Sequence, residues 1–183
     1  MHAGETGDIS HLIAPFLVTN QITHGIQLQK SPVLGYLYYL AQVGITMPLL
    51  NESLRHTRLK DSPFLKFFRR GMRVTLCTEN PLHVHYTSEP LMEEYATCAQ
   101  MWRLSVADLC EIARNSVVLS GFPEADKKRW LGDDYAKEGI AGHDVRRTNV
   151  PRCRMQFRMD TLQDEKRFLE SGSVQKKGPS RKH

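Results

Sequence analysis

Apolar residues at helical three- and four-residue steps alternate along the first half of the chain with short runs that suit strands. Asp8 stands as an N-cap ahead of an apolar stretch over 9–17, which predicts a helix, and Gln21-Ile-Thr-His24 followed by Gly25 predicts a short strand. Ser31-Pro32 supplies the cap and first turn of a helix carrying Leu34, Leu37, Tyr38 and Ala41, and Gly44 ends it. Residues 45–50 read as the next strand. Ser62-Pro63 then opens a helix over 64–70, Gly71 stops it, and residues 72–77 form a strand suited to burial. Ahead of all these, His2-Ala-Gly-Glu5 sets polar and glycine residues where a strand ends. The order helix, strand, helix, strand, helix, strand is the rhythm of a parallel α/β sheet.

After Pro90 only helices are predicted: 91–102, then 106–119 with Ser105 as cap and Asp108 in the first turn, then 123–131. Beyond Gly132 the periodicity fades, and the arginine-rich stretch 146–158 is expected to make a surface or oligomer contact. The chain therefore divides into an α/β part at 1–90, C-terminal helices at 91–162 and a basic, disordered tail at 163–183. No internal repeat is present.

Composition narrows the picture. Hydrophobic residues make up 40% and charged residues 25% of 183 positions, an ordinary globular balance. An eight-stranded α/β barrel typically needs about 250 residues and rarely fewer than about 200, so a complete one does not fit. The net charge of +5 owes much to residues 173–183, which hold four cations, no acid and no interleaved aromatic residue, so nucleic acid is not an expected partner. Cys77, Cys98, Cys110 and Cys153 are widely spaced, with no secretory leader ahead of them, which predicts reduced thiols and a cytoplasmic location. Apolar stretches fall short of the roughly 20 residues that cross a bilayer, so no membrane association is expected.

Reactive groups in parallel α/β folds collect at the C-terminal ends of strands. Three polar groupings lie there: His2 with Glu5, His24 before Gly25, and Glu79-Asn80-Pro81. Each has an ordinary structural reading, because a histidine at a strand end is more often a hydrogen-bonded structural residue and Glu-Asn-Pro makes a good turn. Together, two histidines and two carboxylates on successive strand ends form the layout of a metal-dependent hydrolase, in which a divalent cation acidifies water and a carboxyl group moves protons.

The chain is similar to the C-terminal half of the AMP deaminases, members of the adenosine deaminase-like metal-dependent hydrolases. The resemblance runs from about residue 2 to about residue 162. It rests on His2-Ala-Gly-Glu5, Ile22-Thr-His24-Gly25, the run from Ser31 to Gln42, Pro48-Leu-Leu-Asn-Glu-Ser-Leu54, Glu89-Pro-Leu-Met-Glu-Glu-Tyr95, Ala113-Arg-Asn-Ser-Val117 and Asp144-Val-Arg-Arg-Thr-Asn-Val150. It implies the C-terminal half of a TIM-type (β/α)8 barrel with one Zn2+ per site, in which AMP and water give IMP and ammonia within purine nucleotide metabolism. It further implies that His2 is a zinc ligand, that Glu5 protonates ring nitrogen N1, and that His24 orients the attacking water. Where the family reads Ser-Thr-Asp-Asp-Pro, this chain reads Cys77-Thr78-Glu79-Asn80-Pro81. Glu79 stands at the position that contacts zinc and water, and its extra methylene reaches roughly 1.5 Å further, against a tolerance of about 0.5 Å for a catalytic group. Asn80 stands at the position that binds the purine, with an amide in place of a carboxylate.

The family's His-x-His metal pair on its first strand falls outside this chain. His83-Val-His85 has that spelling but follows the last strand, where the family does not use it as a ligand pair, so a packing role is expected. Two functional readings stand: an AMP deaminase polypeptide that needs the rest of a barrel, or a catalytically inactive partner of a full-length deaminase. Either implies homo- or hetero-oligomers with deaminase chains. A half barrel is also expected to leave two sheet edges bare and to self-associate.

Overall fold

Four short strands set the frame: β1 (His2–Ala3), β2 (Gln21–His24), β3 (Gly44–Met47) and β4 (Val74–Leu76). They pair in the order β1-β2-β3-β4 and every pair is parallel. This computed structural model describes residues 1–55 and 58–174. Parallel neighbours need a crossover, and each gap supplies helices: α1 (Ile13–Val18), α2 (Pro32–Leu40), then α3 (Leu49–Arg55) and α4 (Phe64–Arg69). The result is half the strand count of an eight-stranded α/β barrel, in barrel order.

The register explains where the core sits. Ile22, Ile45 and Val74 stand side by side on neighbouring strands. They are fully buried, together with Tyr38 of α2 and Phe64 of α4, and Phe67 and Phe68 complete the cluster. The alternate positions Thr23, Thr46 and Thr75 form a polar row on the other face, where the Thr75 and Thr46 hydroxyls lie 3.0 Å apart. Ser31 Oγ accepts from the Leu34 amide and Pro32 occupies the first turn, so α2 starts where its cap dictates.

The remaining described elements are helical: α5 (Pro81–Val84), α6 (Pro90–Trp102), α7 (Val106–Leu119), α8 (Glu124–Leu131), α9 (Val145–Thr148) and α10 (Arg152–Val174). Ser105 and Asp108 cap α7 reciprocally. This helix lies along the outer edge of β4, where Asn115 Nδ2 donates to the buried Val74 carbonyl at 3.2 Å. Further along, Leu119 packs where Gly44 has no side chain, and a Cβ added there would lie 2.5 Å from it. Of the two edges expected to be bare, the β4 edge is therefore covered from within the chain. Among the described residues, no strand flanks β1 on its outer side.

Three sequence expectations need correction. Residues 49–50 do not extend β3. Pro48 offers no amide to a ladder, and the chain turns there into α3, whose second residue donates its amide to Glu94 Oε2 at 3.2 Å. Residues 146–158 are not simply a surface or oligomer contact. Arg154 pairs with Asp108 and, at 3.0 Å, with Glu111, while Arg158 Nε donates to Glu111 at 2.9 Å. Charge docks α10 on α7 beside a short apolar face of Met155, Met159 and Leu162, and the arginines and acids interspersed among these hid the helix from hydrophobic periodicity. Finally, residues 163–174 of the expected disordered tail continue α10, and Glu165 accepts from the Tyr36 hydroxyl at 2.8 Å. Residues 175–183 lie outside the described residues.

Glu94 has a particular role in joining these layers. Its side chain is fully buried, and it bonds His85 Nε2 at 3.1 Å as well as the Leu50 amide, so one carboxyl group links α6, the start of α3 and the segment after α5. Burial raises its carboxyl from the ordinary 4.5 to about 7, against the opposing bonds from Leu50 and His85. The folded state thus holds an extra proton between those two values, and stability falls as pH rises through that window. Glu94→Gln is expected to flatten this loss by about 1–3 kcal/mol. Urea midpoints of both proteins at about pH 5 and about pH 7.5 measure it.

Candidate active site

The strand ends deliver His2, His24 and Glu79 to one place because β1, β2 and β4 are parallel and their C-terminal ends share one side of the sheet. His24 ends β2 with φ +78°, and Gly25 follows at φ +65°. Two consecutive left-handed residues turn the chain sharply. A non-glycine residue there is strained, as residues at functional sites often are.

His24 is fully buried, and its two ring nitrogens have different surroundings. Nδ1 lies 3.1 Å from Glu52 Oε1, a carboxylate that is itself almost fully buried. Nε2 lies 3.1 Å from His2 Nδ1, 3.7 Å from Glu79 Oε2 and 3.8 Å from Glu5 Oε2. His2 is 66% exposed and stands 3.9 Å from Glu79 Oε1. Burial works against a charged His24 ring, but the Glu52 hydrogen bond and the charges of Glu5, Glu52 and Glu79 outweigh it and raise its pKa. Burial also raises the Glu52 carboxyl, with the His24 bond pulling it back.

One donor atom from each of His2, His24 and Glu79 fits within 4.8 Å of the others. Nitrogen and carboxylate oxygen donors at this spacing suit a divalent cation such as zinc. The Glu52–His24 bond is the kind of outer carboxylate that fixes a metal-site histidine in one tautomer. The local charge fits as well, since three carboxylates surround two imidazoles.

Asn51, adjacent to Glu52 in α3, organises the other half of the site. Its Nδ2 donates to Glu79 Oε2 at 2.6 Å, and its Oδ1 accepts from Asn80 Nδ2 at 3.2 Å. The longer Glu79 side chain is therefore held against the histidines by Asn51. Asn80, in a left-handed conformation at φ +51°, uses its amide donor on Asn51 and retains its carbonyl oxygen for another partner. Glu5 sits at the rim, in a turn whose backbone carbonyl accepts from Gln27 Nε2 at 3.0 Å.

Asn51 and Glu52 carry no role in the sequence reading, although they fall within the resembling segment at 48–54. Two adjacent polar residues just after a buried strand were the available signal. Both are almost fully buried. His83 and His85 stay out of the cluster: His83 is exposed, and the buried His85 bonds Glu94. All four cysteines are free.

The profile of the AMP deaminase family matches residues 1–175, and the chain belongs to that family. It is 55% identical over 165 residues to AMP deaminase of Arabidopsis thaliana, covering 90% of this chain and 19% of that protein. It is 52% identical over 169 residues to AMP deaminase 3 of Homo sapiens, covering 92% and 22%, and 51% identical over 165 residues to AMP deaminase of Saccharomyces cerevisiae, covering 90% and 20%. The chain thus spans about a fifth of the length of these curated relatives. Among solved structures, adenine deaminase from Arthrobacter aurescens matches with a TM-score of 0.63 at 25% identity, covering 70% of this chain and 39% of that one. An Arabidopsis N6-mAMP deaminase shares the fold with a TM-score of 0.62 at 15% identity, covering 70% and 38%.

If Asn51 positions Glu79, then Asn51→Ala is expected to lower the affinity for a divalent cation about 10- to 100-fold, as loss of an outer-shell partner does. His83→Ala is expected to leave it unchanged. Calorimetric titration of the chain and both variants with Co2+ measures the difference.

Proposed function

We propose that this chain supplies the strand-end part of a zinc-dependent AMP deaminase site, which converts AMP and water to IMP and ammonia in the cytoplasm as a step of purine nucleotide metabolism and IMP salvage. The observation that carries this reading is the convergence of His2, His24 and Glu79, with Glu5 at the rim. His2 and Glu79 would hold the zinc, together with ligands that this chain does not contribute. Bound zinc supplies Lewis-acid activation of the attacking water.

The chain's own groups account for the proton movements. His24, fixed through Nδ1 by Glu52, presents Nε2 to the attacking water. Its raised proton affinity suits it to steady the negative charge that grows on that oxygen. Glu5 gives a proton to N1 of the purine, which drains electrons from C6 and makes that carbon open to attack. Glu79 receives the first proton that water loses and passes it to the exocyclic amine, which leaves as ammonia as the C6–N bond breaks, while the C6 hydroxyl gives up its proton to restore Glu5 and the C6 carbonyl of IMP forms. Asn80, held through its amide by Asn51, offers its carbonyl oxygen to the purine edge. Assembly with further deaminase chains would complete the barrel.

One observation favours a second reading, that of an inactive partner of a full-length deaminase. Val74 on the outer edge of β4 already accepts from Asn115, and a further barrel strand would need that carbonyl.

The isolated 183-residue chain loaded with Zn2+ is expected to show little or no AMP-to-IMP turnover. Mixing it with a polypeptide that carries the rest of the barrel is expected to produce turnover, and Glu5→Gln to reduce that by at least about 100-fold. Robust turnover by the chain alone would overturn the shared-site reading. A chain that alters an intact deaminase but never supports turnover itself would establish the second one.

A further inference from the structure

A second concentration of charge sits at the other end of the sheet. Arg73 directly precedes β4 while Glu79 follows it, and six residues at about 3.3 Å each put roughly 20 Å between them. Arg73 lines a cleft of about 450 Å3 between the C-terminal end of α2, α7 and α10. Arg114 of α7 lines the same cleft.

Both residues are partly buried, and neither makes a hydrogen bond or close ion pair with a described residue. Arg114 Nε is fully buried without a hydrogen-bond partner among the described residues. Two acids line the same cleft and relieve them only in part: Glu111 is gripped by Arg154 and Arg158 and reaches Arg114 through its charge alone, and Glu138 acts on Arg73 only through its charge. Burial lowers the proton affinity of both guanidiniums, and for Arg114 the charge of Arg73 lowers it further. Buried like charges without partners cost stability unless something neutralises them.

We propose that this cleft binds a small organic phosphate, with Arg73 and Arg114 holding the phosphate and Met155, Met159 and Leu162 covering the organic part. Guanidinium forks match phosphate oxygens bidentately. Two of them, with Lys166 also lining the cleft, suit a dianion better than a single carboxylate. The volume lies within the usual range for small-molecule sites. None of these residues belongs to the catalytic cluster, so the site stands or falls independently of the proposed deaminase activity.

Thermal unfolding of the 183-residue chain with phenyl phosphate, inorganic phosphate or sodium chloride of equal ionic strength tests this. Phenyl phosphate at a hundredfold excess over its Kd is expected to raise the midpoint by roughly 5–10 °C, with inorganic phosphate effective only at higher concentration. Arg114→Met is expected to abolish that rise while leaving the ligand-free midpoint unchanged or higher, because a lone buried charge is gone. Arg73→Met carries the same expectation should Arg114→Met not fold, and Arg69→Met, outside the cleft, is expected to keep the rise. An equal rise with chloride would mean an adventitious ion only and overturn the proposal. So would a rise that survives both cleft variants, a lower ligand-free midpoint in both, or stabilisation by an acidic peptide but not by phosphate.

Discussion

The bond between His24 and Glu52 constrains much of the architecture around it. A fully buried imidazole needs a partner, and the partner is a buried carboxylate from a different crossover. That requirement explains why the chain leaves β3 at Pro48 and turns at once into α3, since only a helix beginning there brings residue 52 under the end of β2. Glu94 holds the first turn of α3 from above through the Leu50 amide, and Asn51 reaches sideways to Glu79 and Asn80. One short helix therefore ties together the ends of β2 and β4 and the first C-terminal helix. Removing a charge from this set leaves another buried polar group unmatched, and such losses are large relative to the marginal stability of a domain.

Charge is segregated along the strands. Carboxylates gather at their C-terminal ends, where Glu5, Glu52 and Glu79 surround two histidines, and at the opposite end stand Arg73 and Arg114, without a close ion pair among the described residues. A parallel sheet makes this possible because all its strands point the same way. The acidic end raises the proton affinity of His24 and favours a cation, while the basic end favours an anion.

The strands, α2, α4, α6, α7 and the strand-end positions of His2, Glu5, His24 and Glu79 were legible because they rest on local rules: Ser-Pro caps, terminal glycines and apolar periodicity. α3 was not legible, since its useful residues Asn51 and Glu52 break the apolar pattern in order to face buried polar partners 28 residues away in either direction along the chain. α10 was hidden for a different reason. Its contact with α7 runs through Arg154, Arg158, Asp108 and Glu111, and its few inward apolar residues, Met155, Met159 and Leu162, stand among arginines and acids that mask their helical spacing. Glu79 looked misplaced by a methylene because its anchor, Asn51, can be found only in three dimensions.

The outer edge of β4 poses a choice between two closures that the chain cannot make at once. As folded here, Asn115 satisfies the Val74 carbonyl, burial of Ile112 holds α7 in place, and the partly buried Leu119 packs against Gly44. The fully buried Ile112 stabilises by about 1.5–3 kcal/mol, and the side-chain hydrogen bond adds about 1 kcal/mol. A neighbouring parallel strand would offer the same edge a short ladder of backbone bonds and a new apolar row. The two alternatives are comparable in size, so the balance is decided by whether the displaced apolar side chains of α7 find a second place to be buried. On the outer, helix-bearing side of a barrel such a place exists, because a helix there covers two adjacent strands at once. Covering the β4 edge with α7 is thus compatible with a chain that also completes a barrel.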